Sequence, residues 1–77
     1  MGAAHVTGDV REVAIRDDGI RLGQLLKLAG LIESGAAAKA LLAAGEVTVD
    51  GQVETRRGRK LRRGAVVTVE GESVRLT

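Results

Sequence analysis

The spacing of the apolar residues changes twice along this 77-residue chain, and each change limits what can form there. Between Val10 and Arg16, Val13 and Ile15 alternate with Glu12, Ala14 and Arg16, the two-residue period of a half-buried strand. From Ile20 to Ala29 the period lengthens, and Leu22, Leu25, Leu26 and Ala29 share one helical face. Ala38, Leu41 and Leu42 continue that spacing between Gly35 and Ala44. Beyond Gly45 alternation returns, in Val47 and Val49, then Val67 and Val69, then Val74 and Leu76. Val53 is expected to rejoin the same apolar face.

Punctuation agrees with the periods. Asp17-Asp18-Gly19 marks a turn. Gly30 and Gly45 stand where helices end. Ser34 is placed to cap the second helix, although Ala37 leaves the capping box without its acidic partner. Asp50-Gly51 has the composition of a two-residue type I′ hairpin, and Glu70-Gly71 is a weaker form of the same signal. The order is therefore β, α, α, then three or four short strands. This predicts an α+β fold, with two short helices packed on a small antiparallel sheet of about four to five strands. The first strand cannot be stable alone and is expected to pair beside a later one. Residues 1–9 read as a flexible tail and residues 10–77 as a single domain.

Charge is distributed unevenly. From Arg56 to Arg63, six of eight residues are Arg or Lys, whereas the other 69 residues sum to −4 and the whole chain to +2. Like charges repel in a compact state, so such a run needs a counterpart. A solvated loop is one explanation. A polyanion is the sharper one, because the run is rich in Arg, whose planar fork pairs with phosphate at two points. Gly58 and Gly64 punctuate the run, Leu61 can anchor it, and it lies between strands rather than at an end. These features point to nucleic acid, yet composition alone does not separate RNA, DNA and an acidic protein surface.

The remaining composition narrows the field. No Phe, Trp or Tyr is present, so His5 is the only ring available for base stacking, and contacts would run through phosphates, hydrogen bonds and Arg planes. Without Cys there is no disulfide or thiolate site. His5, the sole His, falls in the tail, and the carboxylates sit in turns or, like Glu46, Glu54, Glu70 and Glu72, at expected exposed strand positions. Neither a catalytic constellation nor a metal, cofactor or nucleotide motif emerges, and no apolar run approaches membrane length. The expectation is a non-enzymatic, monomeric, cytoplasmic domain with no small-molecule substrate and no membrane association.

Order and spacing from Arg21 to Val69 carry a resemblance. Arg21-Leu22-Gly23, Ser34-Gly35, Ala38-Lys39, Gly45-Glu46-Val47-Thr48-Val49-Asp50-Gly51 and Gly64-Ala65 follow in sequence. This stretch resembles the RNA-binding domain named after ribosomal protein S four, also called the αL domain. Leu25-Leu26-Lys27-Leu28 and Glu54-Thr55-Arg56-Arg57-Gly58-Arg59-Lys60-Leu61 are similar to the short, free-standing bacterial members. The chain departs from the usual pattern at Gly23 and Gly35, where Asp and Arg are common, and at Arg63 and Ala65, where Pro and Asp are common.

The resemblance implies recognition of structured RNA, either ribosomal or transfer RNA. Together with the charge pattern it implies a surface of Arg21, Lys27, Ser34, Lys39, Arg56, Arg57, Arg59 and Lys60, with Arg62 and Arg63 as weaker members. The alternatives are an interaction module that sets the Arg-rich loop on an acidic protein, and a DNA-binding module.

Overall fold

In the computed structural model, residues 10–77 are described; the expected flexible tail over residues 1–9, with His5, lies outside them. The elements are β1 (Val10–Val13), β2 (Gly19–Arg21), α1 (Leu22–Leu28), α2 (Gly35–Ala43), β3 (Val47–Val49), β4 (Gln52–Val53), β5 (Lys60–Arg62), β6 (Val66–Val69) and β7 (Glu72–Leu76).

Five strands form one sheet in the order β1-β7-β6-β3-β4, and β2 pairs with β5 in a separate two-stranded ribbon. The pairs β3–β4 and β6–β7 are antiparallel, as expected of strands joined by short turns, and β3 also pairs antiparallel with β6 across the longer connection that holds β4 and β5. The expectation of a wholly antiparallel sheet is corrected at the edge, where β1 runs parallel to β7, Val10 opposite Ser73 and Val13 opposite Leu76. Nearly the whole domain lies between these two strands in sequence. That connection is ample for the crossover a parallel pair requires.

The core follows the apolar periods. Leu22, Leu25 and Leu26 from α1 and its C-cap Ala29, with Ala38 and Leu42 from α2, pack on Val47, Val49, Val67, Val69, Val74 and Leu76. Leu41 is half-buried at the margin. Val53 does not rejoin this face. It stands opposite Thr48 and is 60% exposed, so it belongs to the side of the sheet away from the helices. Because the hairpin is two residues long, its register is fixed by the turn and not by the preference of one Val. Asp50 and Gly51 have φ of 51° and 85°, the left-handed pair a type I′ turn needs, and Asp50 Oδ1 accepts from the Val66 N–H at 3.0 Å.

Both helices stop at the expected glycines, and Ser34 Oγ accepts from the Ala37 N–H at 3.2 Å. Helix α1 starts two residues later than its periodicity suggests. Gly19–Arg21 is extended and pairs with β5, Ile20 opposite Leu61. The Arg-rich run is therefore only partly a loop. Its second half is a strand, and Leu61, 2% exposed, anchors it in the core.

Candidate nucleic-acid interface

Residues 21–23 hold the basic run in place. The first N–H groups of a helix have no partner within it, and here the loop supplies them. Leu22 N–H donates to the Arg59 carbonyl at 2.8 Å, and Gly23 N–H donates to that of Arg57 at 2.9 Å. The Arg21 guanidinium donates to the intervening Gly58 carbonyl at 2.7 Å. Three consecutive carbonyls of the loop thus face the start of α1, and the arginine side chains between them are directed by a pinned backbone. Arg21 N–H in turn donates to Gln24 Oε1 at 3.2 Å.

A carboxylate holds the other side. Glu54 was expected on an exposed strand position; it is 7% exposed. Its Oε2 accepts from the backbone N–H groups of Thr55 and Arg56, each at 3.0 Å, and from Arg56 Nε at 3.1 Å. Its Oε1 accepts from Arg59 Nη1 at 2.6 Å. Hydrogen bonds from the Arg56 side chain and N–H, then from Arg59, lower the Glu54 carboxyl from its ordinary 4.5 to about 2. The Arg56 guanidinium is raised by the same bond. Sequence reasoning missed this residue because a Glu beside a strand reads as solvated. The available signal was its place as the sole acid immediately before six cations.

Apart from Arg21, held by the Gly58 carbonyl, and Ser34, the expected site residues fall into three groups. Arg56 and Arg59 are paired with Glu54. Arg63 is tied to the chain between β1 and β2, donating to the Ile15 and Arg16 carbonyls at 3.1 and 3.3 Å and standing 3.5 Å from Asp18. Lys27, Lys39, Arg57, Lys60 and Arg62 are exposed and make no side-chain hydrogen bond or ion pair among the described residues.

Arg57 links two shallow clefts. One brings it together with Arg21 and Lys27; the other joins it to Lys39 and Thr55 beside α2. Arg59, Lys60, Arg62 and Arg63 line a third cleft, against Val49 and Gly64. Ser34 caps α2 and is exposed. Sequence reasoning also missed the role of Gly23, whose missing side chain leaves space that the Arg57 stem fills.

Comparison with known proteins agrees with this architecture. A profile of the S4 domain matches residues 13–77. The chain belongs to the S4 domain family. This S4 domain is 49% identical over 59 residues to a probable ribosome maturation protein, RlbA, of Bacillus subtilis, covering 77% of this chain and 83% of that one. It is also 49% identical over 57 residues to the putative RNA-binding protein YbcJ of Escherichia coli, covering 74% and 81%.

The solution structure of the E. coli YbcJ protein, described as revealing an αL motif involved in RNA binding, superposes with a TM-score of 0.69. That match has 40% identity and covers 90% of this chain and 89% of that one. Ribosomal protein S4e of Thermoplasma acidophilum gives a TM-score of 0.59 at 26% identity, covering 78% of this chain and 32% of that larger one. The two helices on a sheet are therefore the αL fold, in a version with a mixed five-stranded sheet and a separate ribbon.

Proposed function

We propose that this S4 domain binds structured RNA, of the ribosomal or transfer class, through the face where α1, α2 and the Arg-rich run meet. The observation that carries this reading is the set of exposed cations without partners among the described residues, Lys27 and Lys39 on the two helices and Arg57, Lys60 and Arg62 on the run pinned against α1 and Glu54. Fixed cations at the rims of shallow clefts suit the phosphates of a folded RNA, whose shape and backbone are what a protein can most readily contact. The absence of Phe, Trp and Tyr takes away the usual stacking platform that single strands use. The similarity to proteins described as RNA-binding and as acting in ribosome maturation favours RNA over DNA or an acidic protein.

In this reading the domain acts by binding and not by catalysis, as a monomer in the cytoplasm. Among the described residues no helix is long and apolar enough to cross a membrane. Arg21, Ser34, Arg56 and Arg59 also belong to the surface, the arginines with part of their hydrogen-bonding capacity used in holding the loop. Arg63 is a minor member for the same reason.

Competition at fixed salt tests the assignment. A labelled RNA stem-loop bound to the protein is challenged with unlabelled stem-loop, duplex DNA of equal length and an acidic protein. The stem-loop is expected to compete most strongly. Equal or better competition by duplex DNA would favour the DNA-binding alternative, and by the acidic protein the interaction-module alternative.

A further inference from the structure

Gly23 sits within α1 with the side chain of Arg57 lying directly over it. A Cβ added at Gly23 would stand 3.0 Å from Arg57 Cδ and closer still to its Cγ, with the Arg57 carbonyl at 3.5 Å. The obstructing atoms are near the root of the side chain and not at its flexible tip. Any larger residue at 23 therefore has to turn Arg57 out of its present course. At the far end of that course, Arg57 Nη1 lies 3.8 Å from where a Cβ of Gly35 would be. The side chain thus runs from one glycine to the other, across the mouth between α1 and α2, and enters the cleft lined by Arg21 and Lys27. Arg21 is itself held there by the Gly58 carbonyl, and neither Arg57 nor Lys27 has an acidic partner among the described residues.

We propose that this cleft is a seat for one backbone phosphodiester of the bound RNA, contacted by Arg57, Arg21 and Lys27, and that Gly23 is the positioning residue that creates it. The inference rests on the RNA-binding reading given above. Its distinctive content is that a residue without a side chain sets the affinity, by leaving space for the guanidinium of another. Arg presents paired donors that fit phosphate oxygens, and the RNA-binding reading is what supplies a phosphate to this cleft.

The test is a double-mutant cycle on the full chain with a labelled RNA stem-loop across a salt series. Arg57→Gln removes the charge, Gly23→Ala displaces the side chain, and the third variant carries both. Each phosphate contact contributes about 0.9 to the slope of log affinity against log salt on a duplex. All three variants are expected to lose about 0.9, the double variant no more than either single, because both changes remove the same Arg57 contact. The helix gain of Ala over Gly is set against the displacement of the Arg57 stem, so Gly23→Ala is expected to stay folded and to weaken RNA binding, with a melt measured beside it.

Additive losses, or a slope unchanged by Gly23→Ala in a folded protein, would overturn the role of Gly23. If Gly23→Ala fails to fold, Arg57→Gln alone decides the seat, and an unchanged slope overturns it. A loss of slope in a Lys60→Ala, Arg62→Ala variant alongside an intact Arg57→Gln slope would sink the seat while leaving the RNA-binding reading standing. Failure of the wild-type chain to bind the stem-loop would sink both. Inorganic phosphate at the same phosphate concentration is expected not to displace the stem-loop. Displacement would mark a free-anion site and contradict the proposal.

Discussion

Replacing Glu54 by Gln keeps the length of the side chain and removes the charge that organises the Arg-rich run. The wild-type carboxyl titrates at about 2 in the fold and at its ordinary 4.5 in the unfolded chain. Its folded value is depressed, so its contribution to stability is fully present above about pH 4.5 and is lost as pH falls toward about 2. Melting temperatures of wild type and Glu54→Gln are therefore expected to differ by a constant amount above pH 4.5 and to converge below it. A difference that stays constant down to pH 2 would contradict the assignment. At this scale the cations of the site were legible in the sequence, since a run of six in eight announces itself. Their division into paired and unpaired members was not. It depends on Glu54 being buried, and on the carbonyls of residues 57–59 meeting the start of α1.

At the scale of the element, apolar spacing was enough wherever an element buries a face. Leu25 is fully buried in α1, and Leu25→Ala is expected to lower stability by about 2–5 kcal/mol. Chemical denaturation measures this directly, and a loss below about 1 kcal/mol would show that α1 does not carry the core. The Asp50-Gly51 turn was legible as a dipeptide and has the backbone it predicts. Gly51→Ala places a Cβ at φ 85° and is expected to lower stability by about 1–2 kcal/mol without changing RNA affinity. A Gly51→Ala melt that matches wild type would contradict the turn assignment. The strand β2 was not legible. Three residues show no period, and their extended state comes from pairing with β5, far along the chain. Val53 misled for a related reason, because register set by a tight turn outweighs the preference of one apolar side chain.

For the molecule as a whole, the change of period from two to 3.6 and back was sufficient to give two helices on a sheet. It could not give the direction of β1. A strand that pairs with the last strand of the chain shows the same alternation whether it runs parallel or antiparallel. The resemblance to the S-four-type domain covered the same ground, and the match over residues 13–77 bears it out. What the whole fold adds is separation of roles. Glu54, Arg56, Arg59 and residues 21–23 build the platform, and Lys27, Lys39, Arg57, Lys60 and Arg62 stand on it without partners among the described residues.

That separation predicts different outcomes for two sets of substitutions. Changing Arg56 and Arg59 together to Ala leaves a buried carboxylate without its charged partners and is expected to lower the melting temperature. Changing Arg57, Lys60 and Arg62 together to Ala is expected to leave it nearly unchanged, as for other exposed positions. The most direct measurement is RNA affinity of wild type and the Arg57, Lys60, Arg62 triple variant across a salt series, with a thermal melt beside it. A folded triple variant whose slope is shallower by about two to three units is the result expected if these side chains neutralise phosphates. A folded triple variant with the wild-type slope would show that the unpaired cations are only a solvated surface, and would contradict the assignment of this face to RNA.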